Sequence, residues 1–352
     1  MPNEEVLVEI LECEQNTQIA HLILNSPETL NSLTLNMVNL ISDLLDAWEQ
    51  DSQIKMILIS GRGEKAFCAG GDIRALYDWG KSNDKKATGF YYEEYQLNQL
   101  IKSYSKPYAS FVNGIVMGGG VGVSVHGAFR VAGENYSFAM PETGIGLFPD
   151  VGGSFFLSRL RNNVGMYLAL TGSRIKASDA IELGIAEYFI ESENYDEIFN
   201  KLSEGSSPAE ILSSFHSNKI NSDLKSNFEE INKLFSGDSL EEIINKLESD
   251  QSDFAQKNLS LLKSKSPTSL KITFRQIKNG AELDFEDCMR MEYRMVSKVM
   301  SDHDFYEGVR ALIIDKDNKP LWKPRNIDEI SDETIDEFFK NLENNELNFN
   351  TR

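Results

Sequence analysis

Residues Ile54–Asp72, IKMILISGRGEKAFCAGGD, pass from a short apolar run through Gly61 into a glycine-rich turn. Ile54 to Ile59 fits a buried strand, and Ala69 to Asp72 a turn that opens a helical stretch rich in Tyr and Glu, running through Lys102. The same order returns one unit later, with Tyr108–Val112 as a strand and Gly118–Gly120 as a second glycine turn. Upstream, Val6–Ile10 and Ile19–Leu24 have strand character on either side of the polar stretch Glu12–Thr17. Between them and Ile54, Met37, Leu40, Ile41, Leu44, Leu45 and Trp48 recur at helical spacing, with Ser32 placed to cap that helix. Strand, helix, strand and glycine turn repeat, which predicts an α/β core with ligand groups at strand ends.

Downstream, Ala177–Leu183 reads as a helix stopped by Gly184 and followed by a strand at Ala186–Ile190. After residue 192 the texture changes to Asn, Ser, Glu and Lys, with helical periodicity in Leu240, Ile243, Ile244 and Leu247 and again in Met289, Tyr293 and Val296. The expected organisation is a core over 1–192 and a helical region over 193–352 packed on it, fraying at Asn344–Arg352.

The chain has 352 residues and a net charge of −20, which argues against a nucleic-acid partner. Its apolar runs are too short to span a bilayer, so no membrane partner is expected. Cys13, Cys68 and Cys288 form no disulfide framework or metal spacing, and MPNEEVLVEI has neither signal-peptide nor transit-peptide character. A reducing compartment follows, with the cytoplasm as the expected location.

Three features can carry chemistry. Gly70–Gly71 and Gly118–Gly119 each follow a strand, and glycine lets a backbone N–H approach a ligand without a Cβ in the way. Two such N–H groups converging would make an oxyanion hole; equally, both motifs suit tight turns where helices pack on strands. PETGIGLFPDVGG, Pro141–Gly153, presents Glu142 and Asp150 in a segment that cannot be a helix. The pair suits a nucleophile or general base with a partner acid; taken alone, it suits a turn cap at Glu142 and a helix cap at Asp150 as well. Glu93-Glu94-Tyr95 lies on an aromatic helix, where the acids are either a solvated face or polar groups closing over a small acyl pocket. Arg62, Lys65 and Arg74 flank the first glycine turn, as phosphate attractors or as ordinary surface charge. Other chemistries find little support. The four histidines are scattered, Ser154 is not in a GxSxG elbow, and IVMGGGVG lacks both the GxGxxG frame and a following Gly-Lys-Ser/Thr.

With these residues in view, the chain resembles the crotonase (enoyl-CoA hydratase/isomerase) superfamily, in its 3-hydroxyisobutyryl-CoA hydrolase branch. AFCAGGDIRALY (Ala66–Tyr77), EEYQLN (Glu93–Asn98), GIVMGGGVGVSVHGAFRVA (Gly114–Ala132) and FAMPETGIGLFPDVGGSFFLSRL (Phe138–Leu160) carry the likeness. SPTSLKIT (Ser266–Thr273), MEYRM (Met291–Met295) and HDFYEGVRALIIDKDNKPLWKP (His303–Pro324) extend it toward the C-terminus. The resemblance implies a spiral of ββα units followed by packed helices. It implies a thioester oxygen held by the N–H groups of Gly71 and Gly119, and CoA against Ala69, Gly71, Asp72 and Ile73. Glu142 and Asp150 fall on the hydrolase's acid positions, and Glu94 on one that contacts the substrate's hydroxyl end.

Enoyl-CoA hydratases carry a second Glu where this chain has Gly122, and generally glycine where it has Asp150. The implied activity is therefore hydrolysis of a short 3-hydroxyacyl-CoA, most specifically 3-hydroxyisobutyryl-CoA in valine breakdown, without metal or redox cofactor. Another crotonase-type enzyme and a non-catalytic component of a larger assembly are the rival readings. Homo-oligomer formation is left open, since crotonases often assemble as trimers.

Overall fold

The computed structural model of the chain describes residues 4–218 and 220–349. The described residues gather into two compact units: those within 1–71, 96–138 and 175–225 form one, and those within 72–95, 139–174 and 226–352 form the other. The units interleave along the chain, whereas composition changes once, near residue 192. Composition registers local texture; compactness follows long-range packing.

The first unit carries the sheets. Strands β1 (Val6–Cys13), β2 (Thr17–Leu24), β3 (Ile54–Gly61), β4 (Ala66–Cys68), β5 (Tyr108–Val112), β6 (Ile115–Met117), β7 (Phe129–Ala132), β8 (Ser137–Ala139), β9 (Ile175–Lys176) and β10 (Tyr188–Phe189) divide between two of them. Six line up as β1-β2-β3-β5-β7-β10 and four as β4-β6-β8-β9. β1 and β2 are antiparallel, and every later neighbour in the larger sheet runs parallel. Met56, Ile57, Leu58 and Ile59 of β3 are all buried, as a central parallel strand covered on both faces requires. Ile19, Met56, Leu58, Phe111 and Val131 meet Ile198 and Leu202 of the helix Tyr195–Ser203 and Ile211 and Leu212 of the helix Pro208–Phe215. Each such side chain contributes about 1.5–3 kcal/mol by leaving water.

Two local expectations shift. β1 runs on to Cys13 and β2 starts at Thr17, because pairing Cys13 with Thr17 satisfies backbone groups that the polar side chains of this stretch leave free to face water. The helix Leu35–Gln50 is capped by Thr34, whose hydroxyl accepts the Met37 N–H at 3.1 Å, while Ser32 Oγ donates to the Thr29 carbonyl at 2.8 Å. The helix Ala177–Leu183 ends at Gly184 with φ 73°, as expected.

The second unit is helical, and its helices start where the sequence supplies side-chain caps. Ser239, Ser252, Ser266 and Asp284 accept N–H groups two or three residues inside the helices Leu240–Ser249, Asp253–Ser264, Pro267–Gly280 and Phe285–Val299. Leu240, Ile243 and Leu247 are buried along one stripe, as are Met289, Tyr293 and Val296. The expected fraying is corrected over the residues described: Leu347 is fully buried, and Glu346 pairs with Arg294 at 2.7 Å. Residues 350–352 of that stretch lie outside the described residues.

Candidate active site

In the first unit, β4 and β6 pair in parallel, Ala66 with Ile115 and Cys68 with Val116. Their C-terminal ends therefore point the same way, and each runs into one of the glycine loops. Gly120 is required by contact: a Cβ there would lie 2.4 Å from the Cys68 carbonyl oxygen. Gly70 adopts φ +117°, with Met117 O 3.6 Å from where a Cβ would project. The two loops thus pack backbone against backbone. Leu33 N–H donates to Gly70 O at 2.8 Å, closing a parallel bridge that does not use the N–H of Gly71. Gly119 is the first residue of the short helix Gly119–Gly122, so its N–H has no acceptor within the helix. Neither the bridge to Leu33 nor the short helix occupies these two N–H groups. Ala69 is held differently, its N–H donating to Leu30 O at 3.0 Å.

In the second unit, Asp72 caps the helix Ile73–Lys81 by accepting the Ala75 N–H at 3.0 Å. Ile73 is half-buried at its first turn. Within Pro141–Gly153, Glu142–Ile145 forms one 3-10 turn, correcting the expectation of no helix there. Gly146 stops it at φ +75°, where a Cβ would lie 2.2 Å from the Asp304 carbonyl. The loop is clamped by the C-terminal helices. Gln276 Nε2 donates to Pro149 O at 2.6 Å, Ser266 N to Thr143 O at 3.2 Å, and Ser266 Oγ to Asp304 Oδ2 at 2.7 Å.

Neither acid of this loop is a cap. Glu142 is buried, and its Oε2 has no hydrogen-bond partner among the described residues. Asp150 is also buried, and its Oδ2 accepts the Tyr95 hydroxyl at 3.0 Å. The helix that follows, Gly153–Ser158, is instead met by Glu292, which accepts the Gly152 N–H at 2.8 Å and the Ser154 N–H at 2.9 Å. Glu94 shares this surrounding: it is 2 % exposed, which overturns the solvated-face reading, and its Oε1 is unpartnered among the described residues. Only the neighbouring Glu93 is exposed.

Burial raises the proton affinity of four acids here, and for three of them the charge of Asp150 adds to it. Burial, then the charge of Asp150, holds Glu142 well above the usual carboxylate range, against a pull downward from Lys265. Burial lifts Glu94 likewise, followed by Asp150 and Glu142. Burial pushes Asp150 up to about 7 while the Tyr95 hydroxyl pulls it down. Glu292 is pushed up to about 8 by burial, against its bonds to Ser154 and Gly152. Lys265 is the countercharge: its ammonium lies 3.2 Å from where a Cβ on Gly144 would project, and burial lowers its pKa against the attraction of Glu142. Such a cluster can hold and move a proton near neutral pH.

The structure thus gathers Glu94, Glu142 and Asp150 in one unit and the loops of Gly71 and Gly119 in the other. It also supplies residues that motif reading passed over: Tyr91, Tyr95, Lys265 and Glu292. Tyr95 and Glu292 lay within quoted segments, yet nothing in a local pattern marks a buried hydrogen bond to a residue 55 or 138 positions away. Among the flanking cations, Arg62 donates to Asn25 Oδ1 at 3.1 Å and Arg74 to Ile313 O at 3.4 Å, each a local structural bond.

The family model described as enoyl-CoA hydratase/isomerase matches residues 19–339. The chain belongs to the enoyl-CoA hydratase/isomerase family. Within it, the chain is 49% identical over 336 residues to the 3-hydroxyisobutyryl-CoA hydrolase, mitochondrial, of Gallus gallus, covering 93% of this chain and 87% of that one. Identity to the Homo sapiens protein of the same name is 46% over 356 residues, covering 98% and 91%. Among solved structures, a carnitinyl-CoA dehydratase from Mycobacterium thermoresistibile superposes with TM-score 0.93 at 35% identity, over 99% of this chain and 100% of that one. An enoyl-CoA hydratase from Rhodobacter sphaeroides gives 0.90 at 32%, over 98% and 100%. The α/β crotonase fold expected from the sequence is therefore the fold of this family member. The expected cytoplasmic location is corrected, since these hydrolase relatives are named as mitochondrial. Composition does not decide a compartment: few unpaired cysteines suit any reducing one, and addresses are read by receptors rather than by the fold.

Proposed function

We propose that this chain hydrolyses the thioester of a short 3-hydroxyacyl-CoA, with 3-hydroxyisobutyryl-CoA, and hence valine breakdown in the mitochondrion, as the specific assignment. The observation that carries it is the buried pair Glu142 and Asp150, one with a carboxylate oxygen unpartnered among the described residues and the other tethered by Tyr95. The absence of a second acid at Gly122 and the names of the relatives support the same reading.

In this reading the Gly71 and Gly119 N–H groups take the thioester oxygen and stabilise the charge that develops on it. A Glu142 oxygen attacks the thioester carbon, the C–S bond breaks, and CoA leaves as the thiolate. The acyl group is then joined to Glu142 as a mixed anhydride. Water adds to the Glu142 carboxyl carbon while Asp150 takes its proton, the bond from that carbon to the acyl-bearing oxygen breaks, and the hydroxy acid leaves with the former Glu142 oxygen while Glu142 keeps the oxygen from water. Glu94 is assigned to the substrate hydroxyl, and Ala69, Asp72 and Ile73 to CoA. No metal or redox cofactor enters, so a chelator leaves the rate unchanged.

A second route has Glu142 acting as general base for direct attack by water. Single turnover in ¹⁸O water separates the two: label in the Glu142 carboxylate supports the anhydride, and its absence supports the general base. The activity itself is tested by CoA thiol release across a panel of acyl-CoAs. Cleavage of 3-hydroxyisobutyryl-CoA and 3-hydroxypropionyl-CoA is expected. Hydration of crotonyl-CoA at a comparable rate would overturn the assignment.

A further inference from the structure

Glu292 sits on the helix Phe285–Val299, is fully buried, and is not an acid that the proposed reaction uses. Both of its oxygens are committed. Oε2 accepts the Gly152 N–H at 2.8 Å, and Oε1 accepts the Ser154 N–H at 2.9 Å and the Ser154 hydroxyl. The backbone it grips lies immediately after Asp150 and is strained. Val151 adopts φ +50°, which a β-branched residue rarely does, and Gly152 follows at φ +85°. A non-glycine residue held there is strained, and such a conformation persists only where surrounding bonds over-determine it. On the other side of Asp150, Gln276 holds the Pro149 carbonyl at 2.6 Å.

We propose that Glu292 is a positioning residue for hydrolysis: its carboxyl group clamps the Val151–Ser154 turn and so fixes where Asp150 stands. A carboxyl group is suited to this task, ionised or with its proton turned to the Ser154 hydroxyl. It offers an acceptor to each of two backbone donors, whereas the isosteric amide offers one oxygen and turns an NH₂ toward the other N–H. Shape alone is therefore not enough. Gln would fill the same space and leave one buried donor facing a donor.

This inference rests on the hydrolase reading, and its test separates the two. Wild type, Glu292→Gln and Ser154→Ala are compared in the full chain by CoA release from 3-hydroxyisobutyryl-CoA and by amide hydrogen exchange over 150–156. Glu292→Gln is expected to lower kcat roughly 10- to 100-fold, the scale of an ångström misplacement, with KM within about 3-fold. Its Gly152 and Ser154 amides should exchange at least about 10-fold faster than in wild type. Ser154→Ala keeps both backbone donors and loses one hydroxyl, so its kcat should fall by about 2- to 5-fold with KM unchanged.

A folded Glu292→Gln enzyme with wild-type kcat, or with its loss confined to KM, overturns the proposal, as does unchanged amide protection. Should Glu292→Gln fail to fold, Ser154→Ala decides: wild-type kcat there also overturns it. A wild-type protein that releases no CoA sinks the hydrolase reading, while the exchange comparison still reports whether Glu292 holds the turn.

Discussion

Replacing Tyr95 by Phe removes one oxygen from a ring that is fully buried and packed edge-on against Tyr91 and Tyr293, at centroid distances of 6.1 and 6.4 Å. The ring stays, so packing is conserved, and the loss is the hydroxyl that donates to Asp150 at 3.0 Å. That hydroxyl is always present as a donor, because burial, then the charge of Asp150, holds its own pKa well above the ordinary value. Hydrogen bonds to a charged partner contribute about 1.5–3 kcal/mol, and about 1.36 kcal/mol corresponds to one pKa unit. Asp150, already pushed up to about 7 by burial, should therefore rise by roughly one to two units more.

The proposed reaction needs Asp150 ionised, so kcat/KM should climb with pH through its apparent pKa, and the Phe variant should climb later. At pH 7 the ionised fraction falls from about one half to about 1–9 %, a roughly 5- to 50-fold loss that recovers above pH 9. The assay is CoA release followed from pH 5.5 to 10 in both proteins. Stability obeys the same linkage: the urea midpoints of the two proteins should lie close at pH 5.5 and separate at pH 9, where the lost bond is to a charge. An acid limb that does not move, with a rate loss equal at every pH, would refute the coupling of Tyr95 to Asp150.

Glu142→Gln should reduce CoA release by at least about 10²-fold while the protein folds, read by steady-state kinetics and thermal melting; a loss under 10-fold would count against Glu142 as the reacting group. Gly120→Ala places a methyl 2.4 Å from the Cys68 carbonyl, so the glycine loops must separate. A drop of about 1–3 kcal/mol in urea unfolding and a fall in kcat are expected together. The raised pKa values of Glu94, Glu142, Asp150 and Glu292 mean that the folded state binds protons more tightly than the unfolded chain. Their stabilisation is complete below the unfolded carboxyl value near 4 and is lost as pH rises through about 7 to 8. Urea midpoints at pH 5.5 and 8.5 should show this decline, and Glu94→Gln should flatten it; an unchanged slope in that variant would argue against a buried ionising Glu94.

The strand and glycine-turn order of Ile54–Asp72 and Tyr108–Gly120 was legible because both signals are local. A central parallel strand must be apolar on both faces, and a loop that packs on another backbone must lack a Cβ. Glu142 and Asp150 were legible only as alternatives, cap or catalytic acid, since spacing is the same in both. Burial and the absence of a side-chain cap bond at either turn removed the cap reading, leaving the catalytic one as the proposal. Glu94 was harder still: its neighbours Tyr91 and Tyr95 suggest an aromatic helix, and only tertiary packing turns one of two adjacent acids inward.

The sequence by itself determined the α/β class, the glycine loops, the acids available for chemistry and, through resemblance, the family. These depend on chain-local geometry or on whole-chain pattern. Tertiary structure alone decided which acids lose their water, which hydroxyl holds Asp150, and that a glutamate 138 residues beyond Ser154 grips the turn between them. The physical reason is that desolvation and hydrogen bonding act through space. A carboxylate's chemistry is set by what surrounds it, and those surroundings come from distant parts of the chain.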